Sequence, residues 1–558
     1  MTRYIFIFGG VMSGIGKGTT TASIARLLKD RGFRVTAMKA DPYINVDAGT
    51  MNPIEHGEVF VTHDGLETDQ DLGNYERFLD QNILAYNYMT TGSVYKAVIE
   101  RERNLEYGGR CVEVVPHVPE EIIRRIHEAG KRARADFVLI EIGGTVGEYQ
   151  NMLFVEAARM MHLSDPERIL FILVSYLPIP DNIGEMKTKP TQTASRMLNT
   201  AGIQADFIVA RAKQTLDASR RHKLSVFCNV QPDHIIAAPD QSSIYEVPQL
   251  FRAQGFDDNI MRHFKMNRAP RKHREWDIMV NRMKAAKKPA TIAIVGKYFK
   301  TGDYELGDSY ISVLEAIRHA SWVQGIKPEI VWINSEEYEE NPKAVNELSQ
   351  YDGVIIPQGW GSRGAEGKIR AIQYVREHNI PFLGLCYGMQ MASIEFARHV
   401  LKIPMATSQE IDQKAKDHVI HFIPEQCKRI QHKDYGGSSR LGAYACKVRS
   451  GTISHSLYGK SLVHERHRHR YEFNNNYRKR FEKHGMVFAG IHRKLNLVEI
   501  MELPSHPFFI GVQFHPEYIS RPLSPHPLFV GFLRAASAHR KQRPALKPSL
   551  QQRVSPKS

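Results

Sequence analysis

Pro381-Phe382-Leu383-Gly384-Leu385-Cys386-Tyr387-Gly388-Met389-Gln390 reads as a short apolar strand that enters a tight turn and leaves it as a helix. A cysteine flanked by glycines at a strand exit fits a nucleophile elbow, where the turn excludes bulky neighbours and pushes the sulfur into the open. A second stretch, Val512-Gln513-Phe514-His515-Pro516-Glu517, supplies what such a cysteine needs. Cys386 is the candidate nucleophile and His515 the base that takes its proton. Glu517, two residues on along an extended segment, orients and charge-stabilises the imidazole. The long intervening chain is no obstacle, because such groups meet in space. The pairing implies hydrolysis of glutamine.

Upstream of this turn, Thr291-Ile292-Ala293-Ile294-Val295-Gly296 and Asp352-Gly353-Val354-Ile355-Ile356 are short, β-branched and bounded by glycine or proline, as buried parallel strands are. Helical stretches separate them. The second strand runs into Pro357-Gln358-Gly359-Trp360-Gly361-Ser362-Arg363-Gly364, a loop whose backbone N–H groups can face an oxyanion formed at Cys386.

The other end of the chain carries different chemistry. Tyr4-Ile5-Phe6-Ile7-Phe8 is a strand, followed by Gly9-Gly10-Val11-Met12-Ser13-Gly14-Ile15-Gly16-Lys17-Gly18-Thr19-Thr20 and a helix through Leu28. Glycines let backbone amides close around phosphate oxygens, the helix N-terminus adds partial positive charge, and Lys17 adds a full one. The pattern departs from a regular phosphate loop. Val11 stands where the first glycine belongs and Gly18 where Ser or Thr follows the lysine, leaving Thr19 or Thr20 as the hydroxyl ligand. The strand Phe137-Val138-Leu139-Ile140-Glu141 ends in a carboxylate suited to Mg²⁺, at the position where an open α/β sheet places ligands. Glu67, Asp69 and Asp71 offer further oxygen ligands among which spacing does not choose. Lys39, ending the strand Arg34–Met38, is a second cation for phosphates.

At 558 residues the chain is too long for one core and implies two large domains. The fold class expected is α/β, with two doubly wound, mostly parallel-sheet domains at 1–267 and 290–535, a basic linker at 268–289 and a basic disordered tail at 536–558. The tail carries Pro544, Pro548 and Pro556 and little that packs. Five cysteines without paired spacing point to a reducing compartment. No segment approaches a membrane span, and the strand at the N-terminus leaves no room for a signal peptide, so the expected location is cytoplasmic. The net charge of +15 favours polyanionic ligands. Much of the excess sits between Arg262 and Lys288, expected to form a final helix and the linker, and after Arg534, which argues against specific nucleic-acid binding.

From Arg3 to about Leu533 the chain resembles the CTP synthases, glutamine-dependent amidoligases that aminate UTP. The resemblance rests on Lys39-Ala40-Asp41-Pro42-Tyr43-Ile44-Asn45-Val46-Asp47, His56-Gly57-Glu58-Val59-Phe60-Val61, Tyr75-Glu76-Arg77-Phe78 and Gly184-Glu185-Met186-Lys187-Thr188-Lys189-Pro190-Thr191-Gln192. The last run separates this family from other amidoligases with a similar phosphate loop. The resemblance implies that a phosphate-loop synthetase domain precedes a class I glutaminase domain. It implies that Gly14, Ile15, Gly16, Lys17, Gly18 and Thr19 wrap the ATP phosphates, with Pro239, Asp240 and Gln241 near the base and Asp71 at the metal. Asp71 and Glu141 hold Mg²⁺. Ser13, Lys187, Thr188, Lys189, Pro190, Thr191, Gln192 and Lys223 hold UTP, or CTP as product inhibitor. Gly359, Tyr387, Gly388, Met389, Gln390, Glu410 and Arg470 bind glutamine, a carboxylate and an arginine meeting its ammonium and carboxylate. ATP phosphorylates the uracil O4, with Lys17 and Lys39 balancing charge. Ammonia from a γ-glutamyl thioester crosses an internal passage and displaces the phosphate. GTP activation of glutamine hydrolysis and a homotetramer complete the implied picture.

Four departures from the family pattern stand out. Gln358 replaces a glycine in the oxyanion loop, Asn74 replaces a histidine, and Ser438-Ser439 replaces Thr-Met in a stretch tied to the GTP response. Glu148-Tyr149-Gln150 stands where the family has Asp-Ile-Glu, the residues that meet the inhibitory CTP ring. Two rival readings differ in what they require. Another glutamine amidoligase should lack the Lys187–Gln192 run, and a non-catalytic, filament-forming assembly protein should carry a damaged triad or lysine.

Overall fold

The computed structural model describes residues 1–52, 57–266, 273–297, 300–301, 304–305, 307–422 and 440–543. His56, Ser438, Ser439, Pro544, Pro548 and Pro556 lie outside them. The chain forms two compact units, Met1–Ala48 with Asp71–Val280, and Gly49–Gln70 with Asn281–Ser558.

The first unit is built on a seven-stranded sheet in the order Tyr88–Thr90, Val35–Asp41, Phe137–Ile142, Arg3–Gly10, Ile169–Tyr176, Phe207–Ala212, Ile235–Pro239. Every pairing is parallel. Strands buried on both faces read as continuous apolar runs, which is why Ile5, Phe6, Ile7 and Phe8 are all buried. The chain leaves Arg3–Gly10 toward one side of the sheet and later returns to fill the other, so its C-terminal end is the switch point where open α/β sheets bind ligands. Register places Lys39 opposite Glu141 at that same edge. Part of the stretch expected as linker is the helix Arg274–Ala285. Its Trp276 is buried against Phe78 and Tyr245, and its Asp277 pairs with Arg252.

The second unit has a nine-stranded sheet in the order Ile326–Asn334, Lys288–Gly296, Gly353–Ile356, Phe382–Leu385, Phe509–Val512, Leu497–Glu502, Val487–His492, Arg440–Val448, Leu462–His469. The first five strands are parallel. The remaining pairings are antiparallel, so the parallel character stops at Phe509–Val512. Alternate residues of one strand feed two cores: Ala293 and Val295 pack on one face, Ile292 and Ile294 on the other. Each fully buried Ile or Val contributes about 1.5–3 kcal/mol. The final helix runs Pro527–Gln542, past the boundary expected at 535. It is pinned there because Asp352 pairs with Arg540 at 2.9 Å and Arg543 at 3.4 Å. No helix of the described residues is long and apolar enough to cross a membrane.

Candidate active sites

In the second unit, the neighbouring parallel strands Phe382–Leu385 and Phe509–Val512 pair Leu385 with Val512, so the turns leaving both strands emerge at the same edge. That register brings Cys386 and His515 together. Cys386 takes φ 51° and ψ −98°, a region sterically disfavoured for any side chain, and caps the helix Tyr387–His399. Such a conformation costs about 1–3 kcal/mol, held here by the N–H of Cys386 donating to the Val512 carbonyl at 2.7 Å. Gly388 must be glycine, since a Cβ there would lie 2.1 Å from the Ile356 carbonyl oxygen. The Gln513 amide reaches the Cys386 sulfur at 3.7 Å, a contact that the triad motif alone does not disclose.

His515 is buried, and its Nδ1 meets Glu517 Oε1 at 2.7 Å. Its Nε2 has no hydrogen-bond partner at ordinary distance. Burial opposes protonation of the ring, but the Glu517 carboxylate and Cys386 outweigh it and raise the pKa from 6.5 to about 10. A thiolate beside an imidazolium is the reactive form of a catalytic cysteine.

A cavity of about 300 Å³ opens on Cys386, with Gly359, Gln390, Glu410 and Arg470 among its lining residues. The Gly361 N–H donates to Glu410 Oε1 at 2.9 Å, and the Tyr387 hydroxyl donates to the Gly361 carbonyl at 2.6 Å. Burial raises the Glu410 pKa, opposed by that hydrogen bond and by Lys297 and Arg470. Glu67, one of three acids offered as metal ligands, is instead in this wall, paired with Arg468 at 2.6 Å. Arg468 stacks over Trp360 at 4.6 Å. Gln358 does not take a left-handed φ, so its side chain is tolerated, and its amide donates to Glu58 at 3.2 Å. Met389 is buried in the core beneath the turn, and it packs there rather than lining the cavity.

In the first unit, the glycine loop follows Arg3–Gly10 and leads into the helix Lys17–Asp30. Val11 adopts φ 82°, the conformation glycine takes freely and a β-branched residue rarely does. Gly18 replaces the usual hydroxyl residue because a Cβ there would meet Asp71 Oδ1 at 2.1 Å. Thr19 is half-buried and Thr20 buried. Lys17 Nζ donates to the Gly144 carbonyl at 2.8 Å. Lys39 Nζ bridges Asp71 and Glu141, at 2.5 and 2.7 Å. Tyr75 donates its hydroxyl to Glu141, and Asn74 reaches Asp71 at 3.4 Å, so the departure at residue 74 keeps a donor beside that carboxylate. Burial and the Lys39 charge lower the Lys17 pKa. Burial and Asp71 raise that of Glu141, while Lys39 overcomes burial to hold Asp71 below 3.8. Asp71 and Glu141 fit a cation that takes one or two carboxylates alongside phosphate oxygens. Among the described residues no cluster of three or more His, Cys, Asp or Glu forms a metal cage.

Arg211, unmarked by any motif, lies beside Gly16 and pairs with Asp240 at 3.0 Å, tying the loop to Pro239, Asp240 and Gln241. The Ser175 hydroxyl donates to Thr191 at 2.8 Å, and Gln192 donates to Thr188 at 3.1 Å, so these members of the Lys187–Gln192 run face inward. Lys187 pairs with Glu185 at 2.7 Å, and Lys189 lies over the Phe227 ring on the helix that carries Lys223. Ser13 and Gln150 are exposed, and Tyr149 is 93% exposed. Glu148 turns back to accept from the Thr145 hydroxyl.

Residues 3–266 match the family described as CTP synthase N-terminus and residues 305–535 match glutamine amidotransferase class-I. The chain is 47% identical to the CTP synthase of Geobacillus kaustophilus, over 96% of this chain and 99% of that protein. It is also 47% identical to the CTP synthase of Pyrococcus furiosus, over 97% and 99%. A solved glutaminase domain of Trypanosoma brucei CTPS with bound acivicin is 33% identical over 47% of this chain and 98% of its own, with a TM-score of 0.42. With identity near one half sustained across almost the whole chain, and the two family domains in order, this protein belongs to the CTP synthase family of glutamine-hydrolysing ligases.

Proposed function

We propose that this chain converts UTP to CTP, using ATP to activate the uracil O4 and drawing nitrogen from glutamine. The observation that carries the reading is the pairing, in one chain, of a strained cysteine beside His515 and Glu517 with a glycine loop whose Lys17 stands near Lys39, Asp71 and Glu141. Cys386, as thiolate, attacks the glutamine carboxamide carbon. The tetrahedral oxyanion faces backbone N–H groups of the Gly359 loop, and the His515 imidazolium protonates the departing ammonia, leaving a glutamyl thioester. Gln390, Glu410 and Arg470 hold the amino acid, with Tyr387, Gly388 and Met389 shaping the turn.

In the synthetase unit, Gly14 to Thr19 wrap the ATP phosphates, and Pro239, Asp240 and Gln241 border the nucleotide. Ser13, Lys223 and the Lys187–Gln192 run hold the pyrimidine nucleotide. Lys17 and Lys39 balance charge on the group in flight, and ammonia then displaces phosphate at C4. Mg²⁺, held by Asp71 and Glu141, supplies charge neutralisation for the phosphates.

GTP as activator, CTP as product inhibitor, a homotetramer and a cytoplasmic location belong to the same reading. Exposed Ile183, Met197, Val226 and Phe227 support an assembly, and the free Cys111, Cys228, Cys386 and Cys446 support a reducing compartment. The test is incubation with UTP, ATP, Mg²⁺ and glutamine while CTP is followed by its longer-wavelength absorbance. CTP formation dependent on all four is expected, and its absence overturns the proposal.

A further inference from the structure

Lys368 lies on the helix Ala365–Glu377, immediately after the glycine-rich loop, and its side chain is fully buried. Its Nζ has no hydrogen-bond partner, whereas a buried amine ordinarily finds one. The amine sits over the ring of Tyr387 at 5.0 Å, next to Cys386, and 3.2 Å from where a Cβ on Gly359 would be. A second amine, Lys297, lies over the same ring at 5.5 Å and binds the Trp360 and Arg363 carbonyls, the latter at 3.1 Å. Lys297 thus does the structural work of tying the loop down. Lys368 makes no such bond, and a hydrocarbon of the same length would fill its place at lower cost.

We propose that Lys368 is a positioning residue for glutamine hydrolysis, its amine lying beneath Gly359 so that negative charge gathering at the loop's N–H groups is met by a cation from behind. This rests on the reading of Cys386 as nucleophile and Gly359 as part of the oxyanion loop. In support, burial and the Lys297 charge hold the Lys368 amine well below the ordinary lysine range, and negative charge forming nearby acts in the opposite direction, favouring its charged form. A cation whose charge is favoured most when the oxyanion forms stabilises the transition state over the ground state.

The test is Lys368→Met, which keeps the stem, with Lys368→Gln as a companion that keeps a donor without a charge. Three readings are taken: glutaminase kcat and KM, the rate of Cys386 alkylation by iodoacetamide, and inhibition by the γ-aldehyde analogue of glutamine. Addition of the thiolate to that aldehyde breaks the carbonyl π bond, forms a C–S bond and leaves the electron pair on oxygen, where the oxyanion of the amide reaction develops. The expected result for Lys368→Met is a loss of roughly tenfold or more in kcat and in aldehyde affinity, with KM and alkylation within about twofold and thermal stability equal or higher. Lys368→Gln should fall between. Unchanged kcat and aldehyde affinity in both variants overturn the inference, as do equal losses in KM, alkylation and aldehyde affinity, which mark a general structural role. If Cys386→Ala retains glutaminase activity, the underlying reading fails instead.

Discussion

Around the glycine loop, charges are cross-paired: Lys39 is shared by Asp71 and Glu141, and Lys17 is bonded to the Gly144 carbonyl. Around Cys386, by contrast, polar atoms are held short of partners: Glu517 Oε2 and Lys368 Nζ are buried without a hydrogen bond, and His515 Nε2 is left to Cys386 alone. The two sites thus solve opposite electrostatic problems. Phosphates bring their own charge, so the first site can rest neutralised and exchange partners when nucleotide arrives. A covalent site has to keep its nucleophile, base and oxyanion donors available, and that availability costs stability, which the rigid strand edge and helix around it offset.

Removing Cys386 should separate the two sites most clearly. Cys386→Ala is expected to abolish glutamine-dependent CTP formation while leaving synthesis from ammonium salts nearly intact. Loss of both activities would mean the two sites are not chemically separable. Next in size, Lys17→Ala should lower kcat with either nitrogen donor by roughly 10²- to 10³-fold, with glutaminase activity in the absence of nucleotides unchanged. Wild-type CTP synthesis from ammonia in this variant would refute the phosphate-loop reading.

A smaller effect tests the ionised pair. Glu517→Gln should cost about 10- to 100-fold in glutaminase kcat/KM, since the base is weakened while the thiol remains. The pH dependence of stability carries the same signature. The folded-state pKa of His515, about 10, lies above its ordinary 6.5. The stability it contributes is therefore full below about 6.5 and lost as pH rises through about 10. Thermal melts across that window should fall in the wild type, and in Glu517→Gln the fall should be smaller and end at lower pH. Superimposable melting profiles would contradict the imidazolium assignment.

The smallest expected change concerns feedback. Glu148 is turned back onto Thr145, Tyr149 stands exposed and Gln150 lacks a charge. Replacing Glu148-Tyr149-Gln150 by Asp-Ile-Glu should tighten CTP inhibition against UTP by roughly tenfold, about 1.4 kcal/mol, the scale of one recovered hydrogen bond to a charged group. UTP use should be nearly unaltered. An identical inhibition constant would show that these residues do not loosen feedback.

The local motifs were legible in the sequence because each is set by steric rules that act over a few residues. A glycine-flanked cysteine after an apolar strand, and a glycine loop between strand and helix, allow few other conformations, and the parallel strands around both read as apolar runs. Contacts between distant segments were not legible. Spacing does not choose among Glu67, Asp69 and Asp71 as metal carboxylates, and the fold takes Glu67 out by pairing it with Arg468. Arg211 bears no motif, yet it joins the loop to Asp240. A helix before the linker is legible in the Arg262–Lys288 stretch, but what holds Arg274–Ala285 in place is not: Trp276 meets Phe78 and Tyr245, both distant in the chain. The two chemistries and the turns that present them are written in the order of residues, because turn conformation and strand burial are local properties of residue type. Which carboxylate meets which cation, and which buried lysine is left without an acceptor, is settled in the folded molecule alone, because those energies depend on distance and desolvation between residues far apart in the chain.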